Sequence, residues 1–216
     1  MLYRLTKIVS APMLHLLWPT TVTGHEHVPV SGPAIMASNH LSILDSTFLP
    51  LVLKRQVRFV AKAEYFTGNP VTAMWMRATG QISIDRQSPT SAQDMLDAAA
   101  EVLRKGELFG IYPEGTRSPD GRLYRGKVGV AWLALATGAP VVPVAMEGTG
   151  EVLPIGAARP RLGRVNVRIG KPMTFTGSET SARDRRRVTD EIMFAIQELS
   201  GQEYATSYAP SRSQTK

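Results

Sequence analysis

A histidine and an aspartate with four residues between them are the first candidates for chemistry in this sequence. In the stretch Asn39–Asp45 (NHLSILD), which follows the apolar run Ala34–Ser38, His40 stands five positions ahead of Asp45. The pKa of imidazole lies near neutral pH, so His40 can take a proton from an alcohol and return it to a leaving group. A carboxylate at the other ring nitrogen fixes the tautomer and stabilises the imidazolium. At this spacing, a histidine at a strand end can face an aspartate in the first turn of the next helix.

A metal corner and a plain helix start are the other interpretations of the same stretch. A metal corner needs a third ligand, usually histidine or a carboxylate. The remaining three histidines all lie upstream, with no residue nearby that completes a site. In the helix-start interpretation Asn39 caps the helix, and His40 and Asp45 are ordinary surface residues. The seven residues taken alone favour that simpler interpretation.

Covalent catalysis by serine or cysteine finds little support in the sequence. There is no Gly-x-Ser-x-Gly elbow, Ser42 and Ser46 lie too close to His40 for the usual strained turn, and the chain contains no cysteine. The lack of cysteine also removes disulfides and thiolate metal sites, and it suits a reducing compartment. An alcohol activated by His40 would therefore belong to a substrate.

Charged residues follow three further apolar strands at the point where each strand ends. After Leu108–Tyr112 comes Pro113–Arg117 (PEGTR), where Gly115 allows a tight turn and Arg117 can bind phosphate bidentately. A plain surface turn is the alternative for this segment. Ligands of open α/β sheets sit beyond the carboxyl ends of the strands, so these groups and His40 describe a polar site facing an anion. The other two strand ends carry Lys62 and the pair Asp85 and Arg86.

Strand-like and helix-like patterns alternate along most of the chain, which is typical of a layered α/β domain. The clearest helix, Ser91–Lys105, has its apolar residues on one face and Gly106 as its stop. We predict one α/β domain over residues 21–200, with a central, mostly parallel or mixed sheet flanked by helices. The predicted strands are Thr21–Gly24, Ala34–Ser38, Val57–Ala61, Gln81–Ile84, Leu108–Tyr112, Val141–Ala145 and Val165–Ile169, and the other helices are Tyr124–Thr137 and Ser181–Leu199.

The composition indicates which kind of partner the protein binds. Hydrophobic residues make up 43% and charged residues 20% of the chain, as in an ordinary globular protein. A net charge of +7 and a pI near 9.9 favour anionic partners such as nucleic acid, phospholipid headgroups or a phosphorylated substrate. Basic residues interleaved with stacking aromatics are not found, so nucleic acid is not expected. The densest basic run, Arg183–Arg187, is expected to be a solvated helix face.

The two ends of the chain differ from the predicted domain. Residues 1–20 predict an amphipathic helix that either packs on the domain or lies in a membrane interface with Trp18 at headgroup depth, and its basic polar face favours the interface. No apolar run reaches the ~18 residues that a membrane-spanning helix needs. Residues 201–216 are polar and aperiodic and predict a flexible tail. The apolar stripe of the helix comprises Leu2, Leu5, Val9, Met13 and Leu16, with Arg4, Lys7 and His15 pointing away from it.

Four motifs, taken in order, resemble those of the glycerolipid acyltransferases. They are Asn39–Asp45 with its His-x4-Asp spacing, Gly80–Arg86 (GQISIDR), Tyr112–Ser118 (YPEGTRS) and Val141–Val144 (VVPV). The resemblance extends from about Val22 to Ile169, and the first and third motifs together are highly specific. Within that family the chain most resembles the bacterial 1-acylglycerol-3-phosphate acyltransferases, also called lysophosphatidate acyltransferases.

This resemblance implies a reaction and roles for individual residues. A fatty acyl group would pass from a thioester of coenzyme A or acyl carrier protein to the free hydroxyl of 1-acylglycerol-3-phosphate, forming phosphatidate, with no cofactor beyond the donor and no metal. His40 would be the general base and Asp45 its orienting partner. Acceptor binding would fall to Lys62, Arg86, Glu114, Gly115, Thr116 and Arg117.

The resemblance also implies partners and leaves alternatives open. The expected partners are lysophosphatidate, an acyl thioester, an anionic phospholipid surface at the cytoplasmic face of the membrane and, for one donor, acyl carrier protein. The same fold could instead acylate another lysolipid, such as a lyso-ornithine lipid or a lysophospholipid, because the cations do not identify what carries the phosphate. A lipid-binding protein without catalysis is disfavoured, because headgroup binding requires neither His40 nor Asp45.

Overall fold

The computed structural model describes residues 2–85 and 90–210, and within them the chain alternates strands and helices as predicted. The elements, in chain order, are α1 (Leu2–Leu17), β1 (Thr20–Thr23), β2 (Ala34–Ser38), α2 (Asp45–Val52), β3 (Val57–Arg58), β4 (Val60–Lys62), α3 (Glu64–Thr67), α4 (Pro70–Ala78), β5 (Ile82–Ile84), α5 (Ser91–Arg104), β6 (Leu108–Ile111), β7 (Leu123–Tyr124), α6 (Gly129–Thr137), β8 (Val141–Glu147), α7 (Thr149–Val152), β9 (Val165–Ile169), α8 (Ala182–Ser200) and β10 (Tyr204–Ala205).

A six-stranded sheet forms the centre of the molecule, in the order β1-β9-β8-β2-β6-β3. Neighbouring strands in it are parallel, except β8 and β9, which are antiparallel. Two short parallel pairs, β4 with β5 and β7 with β10, lie outside this sheet. The predicted central sheet, mostly parallel or mixed, is therefore confirmed.

Strand β2 explains why helices cover both faces of the sheet. Successive side chains of a strand point to opposite faces, and all five residues of β2 are buried. Ile35 and Ala37 belong to one apolar cluster, with side chains from α5, α6 and α8. Ala34 and Met36 belong to a second, with side chains from α1 and α2. A strand with apolar residues at every position thus lies in the middle layer, as expected for a buried parallel strand.

The predicted elements agree with the structure to within a few residues, with two differences. The predicted strand Val57–Ala61 divides at Phe59 into β3, which joins the main sheet, and β4, which pairs with β5. The predicted helix Tyr124–Thr137 begins only at Gly129. Residues 123–124 instead form β7, because their backbone groups pair with the distant strand β10.

Helix α1 packs on the domain, and part of its predicted apolar stripe is exposed. Leu14 is buried, and Lys7 Nζ and Trp18 Nε1 each donate a hydrogen bond to a backbone carbonyl of the domain. Lys7, predicted on the solvated polar face, therefore lies against the domain. Met13 and Leu16 of the predicted stripe are 59% and 83% exposed. None of the helices in the described part of the chain is long and apolar enough to span a bilayer.

The first half of the predicted flexible tail is part of the folded domain. Tyr204 and Ala205 form β10 beside β7, and the Arg125 N–H donates to the Ser207 carbonyl at 3.0 Å. The Arg125 guanidinium also lies over the ring of Tyr208, 5.4 Å from the ring centre. Residues 211–216 of the tail lie outside the described residues.

Candidate active site

The site forms where the neighbouring strands β2 and β6 end side by side. These strands are parallel, with Ala37 opposite Ile111, so the residues that follow them leave the sheet at the same edge. The His40 N–H donates to Glu114 Oε1 at 3.1 Å. The Ser118 N–H donates to the His40 carbonyl at 2.7 Å. The first and third motifs are therefore bonded to each other directly.

His40 and Asp45 face each other as the spacing predicts. His40 Nδ1 lies 2.9 Å from Asp45 Oδ2. The same carboxylate oxygen accepts the N–H groups of Leu41 at 2.8 Å and Ser42 at 2.9 Å. Because this oxygen is an acceptor for two backbone donors, it acts as an acceptor towards Nδ1 as well, which places the ring proton on Nδ1. Nε2 is then the nitrogen free to accept a proton from a substrate.

Asp45 is fully buried, whereas the imidazole of His40 reaches the surface. The Asp45 side chain has no exposed area and the His40 side chain keeps 16%. A buried carboxylate requires charged or hydrogen-bonded partners, which the loop backbone and the imidazole supply to Oδ2, while Oδ1 makes no hydrogen bond to the described residues. The pair therefore has a fixed inner member and an accessible outer member, which is the arrangement that a general base requires.

The ring of His40 is the first of three aromatic rings that stack in a column. The rings of His40 and Tyr112 are nearly parallel, with centroids 3.8 Å apart, and the ring of Phe59 follows at 5.3 Å from Tyr112. The Tyr112 hydroxyl bonds to Ser46 Oγ at 2.8 Å. Burial, together with the charge of Asp45, raises the pKa of Tyr112 well above its ordinary value, so the phenol stays neutral. The stacking holds the plane of the imidazole parallel to the ring of Tyr112.

Gly110 makes room for this column of rings, since a Cβ there would lie 2.2 Å from the Phe59 ring.

Glu114 is buried and directs its carboxylate at the backbone. Its Oε1 accepts the His40 N–H, and its Oε2 accepts the Tyr124 N–H at 2.9 Å. The side chain is 1% exposed, and burial raises the pKa of Glu114 from 4.5 to about 7 against the opposing effect of those two bonds. Glu114, which the resemblance assigns to acceptor binding, ties the loop at His40 to β7 through its carboxylate.

The turn that follows Glu114 is the tight turn predicted at Gly115. Gly115 has φ +75°, in the region that favours glycine, and its N–H donates to the Tyr112 carbonyl at 2.9 Å. The side chain of Lys127 lies over this turn, because a Cβ at position 115 would be 3.0 Å from Lys127 Cδ and 3.1 Å from Nζ. Thr116 and Arg117 are partly exposed on the same turn. Lys127 thus provides a second cation beside the turn that carries Arg117.

Lys62, another predicted cation, lies outside the main sheet, on the short pair formed by β4 and β5. Lys62 ends β4, opposite Ile84 of β5, and its ammonium lies 4.0 Å from the Glu64 carboxylate. Its strand begins directly after Phe59, the outer ring of the aromatic column. Arg86 lies outside the described residues.

Asn39 and Gln202 are site residues whose roles the sequence did not reveal. Asn39, predicted only as a helix cap, is fully buried. Its side chain bonds to both backbone groups of Met146 and to Gln202 Oε1. Ser42, beyond His40, is fixed in a similar way through the Leu153 carbonyl at 2.8 Å. Such long-range partners leave no local signal in the sequence.

Comparison with a family model identifies the family of the chain. The model described as Acyltransferase matches residues 19–147, which include the His40–Asp45 pair and the turn at Gly115. The chain belongs to the Acyltransferase family. The resemblance carried by the four motifs is therefore confirmed at the level of the family. Across residues 2–85 and 90–210, no group of three or more potential ligands is placed to hold a metal ion.

Similar proteins place this Acyltransferase chain among proteins named for lysophosphatidate acylation. A chloroplastic 1-acyl-sn-glycerol-3-phosphate acyltransferase of Brassica napus is 34% identical over 191 residues, which cover 88% of this chain and 55% of the relative. The alpha form of 1-acyl-sn-glycerol-3-phosphate acyltransferase of Bos taurus is 30% identical over 177 residues, which cover 79% and 61%. The chain thus spans between about half and three fifths of the length of these relatives.

A solved structure shares the fold. The crystal structure of the 1-acyl-sn-glycerophosphate (LPA) acyltransferase PlsC from Thermotoga maritima matches with a TM-score of 0.74 and 27% sequence identity. The match covers 91% of this chain and 79% of that chain. It confirms the predicted central sheet flanked by helices.

The titration of Glu114 in this Acyltransferase chain predicts a pH dependence of stability. A carboxyl group whose pKa is higher in the folded than in the unfolded state binds more protons when folded. Stability is therefore lost as the pH rises from 4.5 to about 7. Because Glu114→Gln does not titrate, the difference in unfolding free energy, wild type minus variant, should fall over this range by about 3 kcal/mol.

The measurement is urea unfolding of both proteins at several pH values between 4.5 and 7.5. The amide of the variant cannot accept both N–H groups, so it should also cost about 1–3 kcal/mol at the lower end of the range. Glu151→Gln, at an exposed position, is the control and should leave the pH dependence unchanged. A pH-independent difference between wild type and Glu114→Gln would show that Glu114 does not titrate in this range.

Proposed function

We propose that this chain transfers a fatty acyl group from an acyl thioester to the free hydroxyl of 1-acylglycerol-3-phosphate, forming phosphatidate. The observation that carries this proposal is the 2.9 Å contact between His40 Nδ1 and Asp45 Oδ2, which leaves Nε2 available on a side chain that is 16% exposed. The names of the relatives from Brassica napus and Bos taurus and of the structure from Thermotoga maritima support the same substrate.

His40 acts as general base and then as general acid. The glycerol oxygen bonds to the thioester carbonyl carbon while His40 Nε2 takes the hydroxyl proton. Asp45 stabilises the imidazolium that forms, since its carboxylate stays 2.9 Å from Nδ1. The carbon–sulfur bond then breaks, and the departing thiolate takes the proton from Nε2. The products are an ester and a free thiol, and the chain itself forms no covalent intermediate.

The turn 115–117 is the proposed site of the acceptor phosphate. Arg117 is partly exposed, and its guanidinium makes no ion pair or hydrogen bond within the part of the chain that the structure describes. It follows Thr116 and lies next to Ser118, whose N–H is bonded to the His40 carbonyl. A phosphate bound here would place the glycerol hydroxyl near Nε2. Lys62, Arg86 and Gly115 complete the proposed acceptor site, and Glu114 contributes by holding the backbone.

The donor is an acyl thioester of coenzyme A or acyl carrier protein, with no cofactor besides it. Both donors present the same thioester carbonyl to the acceptor hydroxyl, so the geometry of His40 and Asp45 serves either. Positive charge around the site, with a net charge of +7 for the chain, suits an anionic donor as well as an anionic acceptor.

The experiment that tests this function is thiol release from acyl-CoA by the purified chain in lipid vesicles. Release should require 1-acylglycerol-3-phosphate and should yield phosphatidate in equal amount. The same assay with a lyso-ornithine lipid and with lysophospholipids tests the alternative acceptors. Acceptor-dependent release with one of those lipids alone would reassign the substrate, and no release with any lysolipid would leave a lipid-binding protein.

We propose that α1 holds the chain on an anionic phospholipid surface, at the cytoplasmic face where acyl thioesters are made. Met13 and Leu16, two residues of the predicted stripe, are exposed although their side chains are apolar. Met13→Glu combined with Leu16→Glu should lower the vesicle-bound fraction at least about tenfold, because two apolar side chains leave the bilayer interface.

Cosedimentation with anionic vesicles measures this fraction. Val30→Glu is the matched control, since Val30 is 95% exposed outside α1, and it should bind like wild type. Equal binding of wild type and the double variant would exclude α1 as the anchor.

A further inference from the structure

Asn39, the residue immediately before His40, is held by hydrogen bonds from its side chain to the N–H and the carbonyl of one residue in a distant strand. Asn39 Oδ1 accepts the Met146 N–H at 2.7 Å, and Nδ2 donates to the Met146 carbonyl at 3.0 Å. The second Nδ2 proton goes to Gln202 Oε1 at 2.8 Å. Asn39 has no exposed area, so each of these bonds replaces water that the amide cannot reach. Gln202 thus supplies the acceptor for the second Nδ2 proton of Asn39.

Gln202 also bonds to the loop that follows the turn 115–117, the proposed site of the acceptor phosphate. Its Nε2 donates to the Gly121 carbonyl at 2.6 Å. One side chain therefore bridges Asn39, next to the catalytic base, and Gly121, three residues beyond Ser118. Ser118 is itself bonded to the His40 carbonyl at 2.7 Å.

The segment around Gln202 reaches His40 by a second route. The Leu123 N–H donates to the Glu203 carbonyl at 2.9 Å, and Tyr204 and Ala205 continue the pairing with β7. Strand β7 in turn donates the Tyr124 N–H to Glu114, whose other oxygen accepts the His40 N–H. Both series of hydrogen bonds lead from the segment around Gln202 to Asn39 and His40.

From these contacts we propose that Gln202 is a positioning residue for His40, and that the segment 202–207 completes the active site. Gln202 bonds to neither His40 nor Asp45, so it acts through Asn39 and the loop at Gly121. Small displacements of a catalytic group lower the rate steeply, since a shift of about 1 Å can cost about 10²-fold. The inference rests on the proposed acyl transfer, because the role of His40 as base is part of that proposal.

The test is Gln202→Met, which keeps the length of the side chain and removes both hydrogen bonds. We expect kcat for acyl transfer to fall by about tenfold, with KM for lysophosphatidate within about twofold of wild type. The NMR resonance of the His40 Nδ1 proton should broaden through faster exchange, because the imidazole is held less firmly against Asp45. The matched control is Gln93→Met, the same substitution at an exposed position of α5, which should behave like wild type.

A second variant keeps the test decisive if Gln202→Met does not fold. Gln202→Glu retains the acceptor for Asn39 and loses the donor to Gly121, so its kcat should lie between wild type and Gln202→Met. An unchanged kcat and an unchanged Nδ1 resonance in a folded variant would overturn the inference. So would a loss of activity that matches the loss of folded protein. If wild type itself transfers no acyl group, the proposed function fails, and the resonance alone then tests whether Gln202 positions His40.

Discussion

His40→Ala is expected to lower kcat for acyl transfer by about 10²–10⁴-fold, the usual contribution of a positioned general base. Without imidazole, no group at this position can take the proton of the glycerol hydroxyl as it attacks the thioester. The acceptor cations are untouched, so KM for lysophosphatidate should change little. The ring of His40 contacts Tyr112 at the surface of the site, and its loss should leave the fold intact.

The thiol-release assay in vesicles measures this effect, and circular dichroism with thermal unfolding checks the fold. His25→Ala is a suitable control, because the side chain of His25 is 66% exposed and lies outside the site. A His40→Ala variant with the turnover of wild type would remove the general-base assignment, whatever the activity of the chain proves to be.

Asp45→Asn is expected to lower kcat by about 10²-fold or more, for a different reason. An asparagine can still accept the N–H groups of Leu41 and Ser42 with its carbonyl oxygen, so the loop keeps its shape. That oxygen also still accepts from His40 Nδ1 and keeps the same tautomer, but the amide carries no charge to stabilise the imidazolium that forms in the transition state. The expected loss is therefore in the rate and not in the folded population.

The double variant His40→Ala with Asp45→Asn separates this role from a purely structural one. If Asp45 acts through His40, the double variant should be no slower than His40→Ala alone, because residues that act as a unit are strongly non-additive. Additive losses would mean that Asp45 contributes independently of the imidazole. Asp97→Asn, at an exposed position of α5, controls for the change of charge.

The sequence was sufficient to predict the sheet, the His40–Asp45 pair and the turn at Gly115. Each of these has a local cause. Apolar runs with turn residues at their ends mark the strands, and the His-x4-Asp spacing fits a strand end that leads into a helix. Gly115 is required by the backbone conformation of the turn, with φ +75°. Local causes of this kind are readable without coordinates.

The sequence did not reveal what holds these residues in place. The contact of His40 with Glu114 depends on β2 and β6 being neighbours, which the chain order does not show. Glu114 looks like an acceptor ligand in its motif, but burial turns its carboxylate to the backbone. Gln202 lies 163 positions from Asn39 in a polar segment. The polarity of this segment predicted a flexible tail. The prediction missed the fold of the segment because the hydrogen-bond partners of its polar groups are remote in sequence.

The glycine at position 110 has a consequence for which substitutions the site can tolerate. Glycine weakens a strand interior, yet any side chain at this point of β6 would displace the ring of Phe59. That displacement would pass through Tyr112 to the imidazole, and along the chain to the strand that ends at Lys62. The proposed base and the proposed headgroup cation thus depend on the same packing, and a single methyl group in the middle of the sheet would disturb both.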